Sequence, residues 1–397
     1  MKKIKVGSDF SGVGAFNQAL KRLDIDYEEV FACDMDKYAR QTFIHNYGEP
    51  NYYPTNVYER EIPTESLDIY MTSPPCQAFS LAGNRKGESD ERGVLFYNSH
   101  EFIKKNQPRF FIFENVKGLL SDDKGKTFQT WLEYLGGKSI NGQTTIFKDE
   151  NAVDYHIYWQ VLNAKNYGVP QNRERVFIIG IRDDQDNNFR FPKPFPLEKR
   201  LKDVLEHEVD EKYYLSDNQI QSMQVSKFEH SNRIHDVNKV SPTLTTMQGG
   251  GQEPKIKVKS AILKSYELAE IIKIGEVNKG QSGSVYDING VSTTLCAQGG
   301  GGGAKTGLYM VEHRSDEGIR FFKDECSGSI RAKDSGGFKS IVHDYSVRKL
   351  TPRECFRLMD FPDSFDFSVV SDSQAYKQAG NSIVVNVLVE ILKKLPL

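Results

Sequence analysis

Short apolar runs alternate with helical patterns through the first 185 residues. Runs at 4–10, 29–34, 67–71, 110–114 and 176–180 read as strands, and segments 15–23, 37–47 and 127–135 carry apolar positions at helical spacing. Such alternation predicts a mainly parallel sheet covered by helices, a doubly wound α/β domain. In such sheets ligands gather at the carboxyl ends of the strands.

Near residue 190 the texture changes. Phe191-Pro192-Lys193-Pro194-Phe195-Pro196 is a connector that cannot continue a helix or a central strand. Beyond it lie short strand candidates separated by glycine clusters. Ser241-Pro242-Thr243-Leu244-Thr245-Thr246-Met247-Gln248 before three glycines is echoed by Ser292-Thr293-Thr294-Leu295-Cys296-Ala297-Gln298, and more faintly by Ser327-Gly328-Ser329-Ile330-Arg331-Ala332. Unequal spacing rules out a solenoid and suggests strand-and-loop units of a small, irregular, mainly β domain. Helical texture returns in the tail, where Thr351-Pro352-Arg353-Glu354 fits a helix start with proline at its first position. The expected organisation is therefore 1–188, 189–345 and 346–397, the last segment packing back on the first domain.

Composition adds limits. At 397 residues, with 38% hydrophobic and 27% charged residues, the chain reads as an ordinary globular protein. It shows no run of membrane-spanning length and no signal-like start, which places it in the cytoplasm. Five scattered cysteines without a C-x-x-C pair speak against disulfides and structural metal. The formal net charge of −2 carries no whole-molecule signature of a nucleic-acid binder, although the stretch 231–349 is mildly basic.

Candidate chemistry clusters at the predicted strand ends. Paired prolines at 74 and 75 end the third strand and display Cys76. Phe10-Ser11-Gly12-Val13-Gly14 follows the first strand, where two glycines allow a tight turn and close approach of a ligand. Asp34, at the end of the second strand, suits both hydroxyls of a ribose. Glu114 emerges from the fourth run at the same rim as Cys76. In an extended segment Gln171, Arg173 and Arg175 share a face. Taken singly, each has a plainer reading: a turn, a salt-bridged acid, a solvated strand end.

Together the motifs resemble those of C5-cytosine DNA methyltransferases. The resemblance is carried in order by Phe10-Ser11-Gly12-Val13-Gly14, Pro75-Cys76-Gln77-Ala78-Phe79-Ser80, Glu114-Asn115-Val116 and Gln171-Asn172-Arg173-Glu174-Arg175. Arg348-Lys349-Leu350-Thr351-Pro352-Arg353-Glu354 with Phe361-Pro362, and Gly380-Asn381-Ser382, complete it. It implies a Rossmann-like S-adenosylmethionine-dependent methyltransferase domain with a smaller target-recognition domain, and a cytosine rotated out of duplex DNA for reaction.

The implied catalytic residues are Cys76, Glu114, Arg173 and Arg175. The implied S-adenosyl-L-methionine site comprises Phe10, Ser11, Gly12, Gly14, Asp34, Met35, Asn56, Val57, Pro75, Leu95, Asn381 and Ser382. Gln77, Ser80, Thr245, Gln248, Gln298 and Arg331 are the candidate DNA contacts. Departures from the family pattern occur where it commonly has an acid at Ser8, glutamate at Asp34, a bulkier apolar residue at Met35 and aspartate at Asn56; these bear on cofactor affinity more than on cofactor identity. Segment 136–154 resembles an insertion with no assigned function. The implied partners are duplex DNA and a cognate restriction endonuclease, for a monomer in a bacterial or phage-infected cell. A tRNA cytosine-5 methyltransferase and an inactive DNA-binding relative are the competing readings.

Overall fold

Strands buried on both faces read as continuous apolar runs, and two of them form the centre of the sheet: β3 (Ile69–Thr72) and β4 (Phe110–Val116). They belong to a computed structural model that describes residues 3–75, 95–182, 184, 188–215, 234–246, 253–259, 273–276, 284–286, 310–314, 318–321, 337–341 and 345–397. Cys76, Gln77, Ser80, Gln248, Gln298 and Arg331 lie outside the described residues.

β1 (Ile4–Asp9) and β2 (Tyr27–Cys33) lie on one side of this centre; β5 (Ser139–Ile140), β6 (Gln143–Thr144), β7 (Tyr155–Asn163) and β8 (Glu174–Arg182) lie on the other. The strand order is β2-β1-β3-β4-β8-β7-β5-β6. β1 pairs in parallel with β2 and β3, and β3 with β4, as the alternation predicts. Past β4 the direction reverses: β8 runs antiparallel to β4, and β7 antiparallel to β8. The sequence pattern shows neither this reversal nor β7 itself. Its cause is the connection between β7 and β8, which holds only the short 3-10 turn Ala164–Tyr167. A parallel pair needs a crossover of about a dozen residues or more, usually a helix, whereas a short link makes a hairpin. Within segment 136–154, β5 and β6 extend the sheet edge, with Ser139 beside His156.

Helices α1 (Ala15–Arg22), α2 (Lys37–Tyr47), α3 (Leu95–Asn106) and α4 (Lys126–Leu135) follow the parallel strands. Asp36 caps α2, its carboxylate accepting the N–H groups of Tyr38 and Ala39 at 2.9 and 3.3 Å. Three further helices close the chain: α5 (Pro352–Leu358), α6 (Asp372–Asn381) and α7 (Val385–Leu392). α5 opens as the sequence predicts. Pro352 sits in its first turn, and Thr351 and Glu354 form a reciprocal capping box. An aromatic core binds α3 and α4 to the sheet: Phe96 stacks on Trp131 at 4.3 Å and Tyr70 on Phe102 at 4.1 Å. Each such buried ring stabilises the fold by about 1.5–3 kcal/mol. α1 packs against α7.

The chain divides into two compact units, one of 1–213, 222–255 and 349–397 and the other of 214–221 and 256–348. Residues 189–213 and 222–255 thus group with the first unit, across the boundary drawn at 189 from sequence. The reason is burial and backbone bonding: Leu201, Val204 and Leu244 are buried, and Ser241 exchanges 2.8 Å backbone hydrogen bonds with Pro170 and Asn172. In the second unit Met310–Arg314 pairs antiparallel with Gly318–Phe321 and Gly337–Ile341, and Lys273–Glu276 with Ser284–Tyr286. Among the described residues no helix is long and apolar enough to cross a membrane.

Candidate active site

The turn after β1 is built from left-handed backbone. Phe10, Gly12 and Gly14 have φ of 57°, 55° and 83°. Glycine adopts such angles without strain, and Phe10 does so at a cost. Backbone bonds hold the turn, with Ser11 N–H on the Cys33 carbonyl and Gly14 N–H on that of Ser11, both at 3.0 Å. Asp34 closes it from β2: one carboxylate oxygen accepts the Gly12 N–H and the other the Asp36 N–H, each at 2.8 Å. Burial pushes the Asp34 carboxyl up, and these backbone donors oppose that shift. Among the described residues a Cβ added at Gly12 would meet nothing within 4 Å, which leaves space before the turn.

The other implied cofactor residues fall around this turn or farther along the same unit. Met35 is 84% exposed directly after Asp34. Ser11 shares a hydrogen bond with the Tyr53 hydroxyl at 3.2 Å. Asn56 braces its own turn, accepting from the Tyr58 N–H and donating to Glu59, both at 3.0 Å, while Val57 is buried. Leu95 begins α3, Pro75 and Asn381 are exposed, and Ser382 is buried after α6. The segment leading to Cys76 is anchored at Ser73 and Pro74. Ser73 Oγ donates to the Phe10 carbonyl at 3.5 Å, and Asn115 Nδ2 donates to that of Pro74 at 3.4 Å.

Glu114 and Arg175 meet across neighbouring strands. The β4–β8 register sets Glu114 opposite Phe177 and Val116 opposite Arg175, so the two charged side chains sit diagonally on one sheet face. Arg175 Nε lies 3.1 Å from Glu114 Oε1. Burial pushes the Glu114 carboxyl up, opposed first by Arg175 and then by Arg173.

Arg173 shares that face and serves differently. It is 3% exposed, with Nη1 donating to the Leu244 carbonyl at 3.1 Å and Nη2 to those of Gly380 and Ser382 at 3.0 and 2.7 Å. Both terminal nitrogens thus donate to backbone carbonyls, while Nε has no partner among the described residues. Its guanidinium binds segment 241–246 to the end of α6. Thr245 is exposed in that segment, and its carbonyl oxygen would lie 1.8 Å from a Cβ added at Gly380.

Three residues with no motif signal complete the region. Asp9, Arg60 and Tyr70 form a buried hydrogen-bonded cluster below the glycine turn. An aspartate ending a strand that precedes a glycine turn was the available hint.

The model of the C-5 cytosine-specific DNA methylase family matches residues 4–396. The orphan methyltransferase M.SPRI of Bacillus phage SPR is 34% identical over 100% of this chain and 98% of its own length. The type II methyltransferase M.HhaI of Haemophilus parahaemolyticus is 32% identical, covering 96% of this chain and 90% of its own. Among solved structures, the Entamoeba histolytica methyltransferase EhMeth superposes with a TM-score of 0.61 at 15% identity over 99% of this chain and 98% of its own. The S. pombe Dnmt2 methyltransferase does so with 0.57 at 15% identity over 98% and 97%. Likeness at that identity is likeness of fold alone. With a family match across almost the whole chain and full-length relatives above 30% identity, the chain belongs to the C-5 cytosine-specific DNA methylase family and is a DNA (cytosine-5-)-methyltransferase.

Proposed function

We propose that this enzyme methylates C5 of a cytosine rotated out of duplex DNA, through a transient bond between the Cys76 sulfur and C6. The observation that carries the mechanism is the pairing of the buried Glu114 with the half-buried Arg175, 3.1 Å apart beside the Pro74 segment. A thiolate adding to C6 leaves electron density on the ring, and a proton at N3 offsets it. In this mechanism Glu114 supplies that proton to N3 and accepts from the exocyclic amine; burial pushes its carboxyl up, against the opposing charges of Arg175 and Arg173. Arg175 holds Glu114 in place and faces O2, while Arg173 positions the surrounding backbone. Addition makes C5 nucleophilic; after C5 is methylated, loss of its proton re-forms the double bond and expels the Cys76 thiolate.

The donor we assign is S-adenosyl-L-methionine, which when bound supplies an electrophilic methyl group. The turn fits it: space before Gly12 among the described residues, Asp34 beside it for the ribose and the exposed Met35 for the adenine. The Phe10 ring would face the sulfonium. Ser11, Gly14, Asn56, Val57, Pro75, Leu95, Asn381 and Ser382 complete the assigned set. We assign DNA reading to the 189–345 region, with Thr245 the described member of the proposed contacts. A cognate restriction endonuclease, a monomeric state and a cytoplasmic setting in a bacterial or phage-infected cell belong to the same reading.

Duplex DNA containing 5-fluorocytosine tests it, because fluorine at C5 blocks the elimination step and traps the adduct. The expected result is a covalent complex that requires S-adenosylmethionine and is absent in Cys76→Ala. No adduct with the wild-type chain would favour an inactive DNA-binding relative, and transfer to tRNA in preference to duplex DNA would favour the tRNA reading. Bisulfite sequencing of DNA from expressing cells then gives the recognised word and the methylated position.

A further inference from the structure

Asp9 is 1% exposed at the end of β1, and its carboxylate accepts three side-chain hydrogen bonds. Arg60 donates from Nε and Nη2, each at 2.9 Å, and the Tyr70 hydroxyl donates at 2.6 Å. Arg60 is itself 7% exposed, its guanidinium 4.5 Å from the centroid of Phe102. Stability is a poor reason for such a pair. The cost of desolvating two charges often matches or exceeds their attraction, and apolar residues of similar volume commonly do as well. Geometry supplies a better reason, because bidentate hydrogen bonds fix orientation whereas apolar contact is not directional.

The three side chains belong to three segments that surround the cofactor turn. Asp9 immediately precedes Phe10. Arg60 ends the turn containing Asn56 and Val57, in which the Glu59 N–H returns to the Asn56 carbonyl at 3.2 Å. Tyr70 lies on β3, whose next residues run through Thr72, bonded to Ser99 at 2.8 Å, to Ser73, which donates to the Phe10 carbonyl. A shift of Arg60 against Asp9 therefore moves the 56–57 turn relative to the glycine turn.

We propose that Asp9, Arg60 and Tyr70 are positioning residues that set the spacing between the Phe10–Gly14 turn and the Asn56–Val57 turn, and thereby the affinity for S-adenosylmethionine. This rests on the assignment of those two turns to the cofactor. The three residues touch no reacting atom, so their effect falls on cofactor binding far more than on turnover.

The test uses the full chain, with S-adenosylhomocysteine binding by calorimetry, steady-state kinetics on duplex DNA and thermal denaturation. Arg60→Met alone leaves the Asp9 carboxylate buried against an apolar partner and lowers the melting temperature. The double variant Asp9→Leu/Arg60→Met removes both charges and regains most of that loss. Its KM for S-adenosylmethionine and its Kd for S-adenosylhomocysteine are nevertheless expected to rise about tenfold, equivalent to about 1.4 kcal/mol, with a far smaller fall in kcat. Tyr70→Phe deletes one hydrogen bond at almost constant shape, and a smaller rise in the same constants is expected even if the double variant does not fold. Wild-type cofactor affinity in a folded double variant, or in Tyr70→Phe, would reduce the cluster to a structural ion pair and overturn the proposal. Failure of the wild-type chain to bind S-adenosylhomocysteine would instead remove the cofactor assignment beneath it.

Discussion

Glu114 Oε1 lies 3.1 Å from Arg175 Nε across the only described reversal of direction that involves the central strand β4. The antiparallel register places both at one rim, where a carboxyl raised by burial and a guanidinium are held together. Glu114→Gln keeps the shape but removes the exchangeable proton. Methyl transfer to duplex DNA is expected to fall by about 10²–10⁴-fold, a typical size for loss of a general acid. An unchanged circular dichroism spectrum would accompany it; near-normal turnover would remove Glu114 from the mechanism.

Arg173 and Arg175 are separated by one residue and should fail differently. Arg173→Met leaves the carbonyls of Leu244, Gly380 and Ser382 without their buried donor. At about 1–3 kcal/mol per unsatisfied group, with partial relaxation, a loss of about 3 kcal/mol is expected in urea denaturation. Arg175→Lys keeps the charge and loses the planar fork. Its main effect is expected in kcat, with a smaller stability change.

This difference explains what was legible in the sequence. The glycine turn, the acid at 34, Glu114 and the α5 cap each carry a signal in local residue chemistry, but only the cap is built from neighbours in the chain: Cys33 and Asp34 hold the turn, and Arg175 faces Glu114. Whether Arg173 or Arg175 reaches an open site depends on what covers each of them. The cover over Arg173 comes from Leu244 and from Gly380 and Ser382, far away in sequence. The direction of β8 was equally hidden, because composition marks a strand without orienting it. The Asp9–Arg60 pair joins residues 51 positions apart that no spacing rule connects.

Gly380 tests the same clamp from α6. A Cβ there would lie 1.8 Å from the Thr245 carbonyl oxygen, a backbone atom that cannot step aside without moving segment 241–246. Gly380→Ala is therefore expected to destabilise by about 1–3 kcal/mol, the usual cost of overpacking. Because Thr245 is a proposed DNA contact, KM for DNA should rise as well. Combined with Arg173→Met, the stability losses should sum to less than their separate values, since both act through one segment. Strict additivity would show that they do not share it.

Glu29, on β2, provides a pH dependence remote from catalysis. Asn17 Nδ2 donates to one of its carboxyl oxygens, while the other carboxyl oxygen and Asn17 Oδ1 have no partner among the described residues. A proton on Glu29 supplies the donor that this pair lacks. Burial pushes the carboxyl up to about 8 from an ordinary 4.5, with the Asn17 hydrogen bond opposing the shift. Between those values the folded chain retains a proton that the unfolded chain has released. Stability from this group is therefore complete below about 4.5, declines as pH rises through the window and is lost above about 8. Glu29→Gln replaces the carboxyl with a neutral group that can still donate to Asn17 Oδ1. Thermal denaturation at pH 5.5 and 8.5, set by these limits, should show a clear loss in the wild-type chain and a smaller one in the variant, which becomes the more stable of the two at the higher pH. Equal losses in both would show that Glu29 is already ionised in the folded chain at the lower pH.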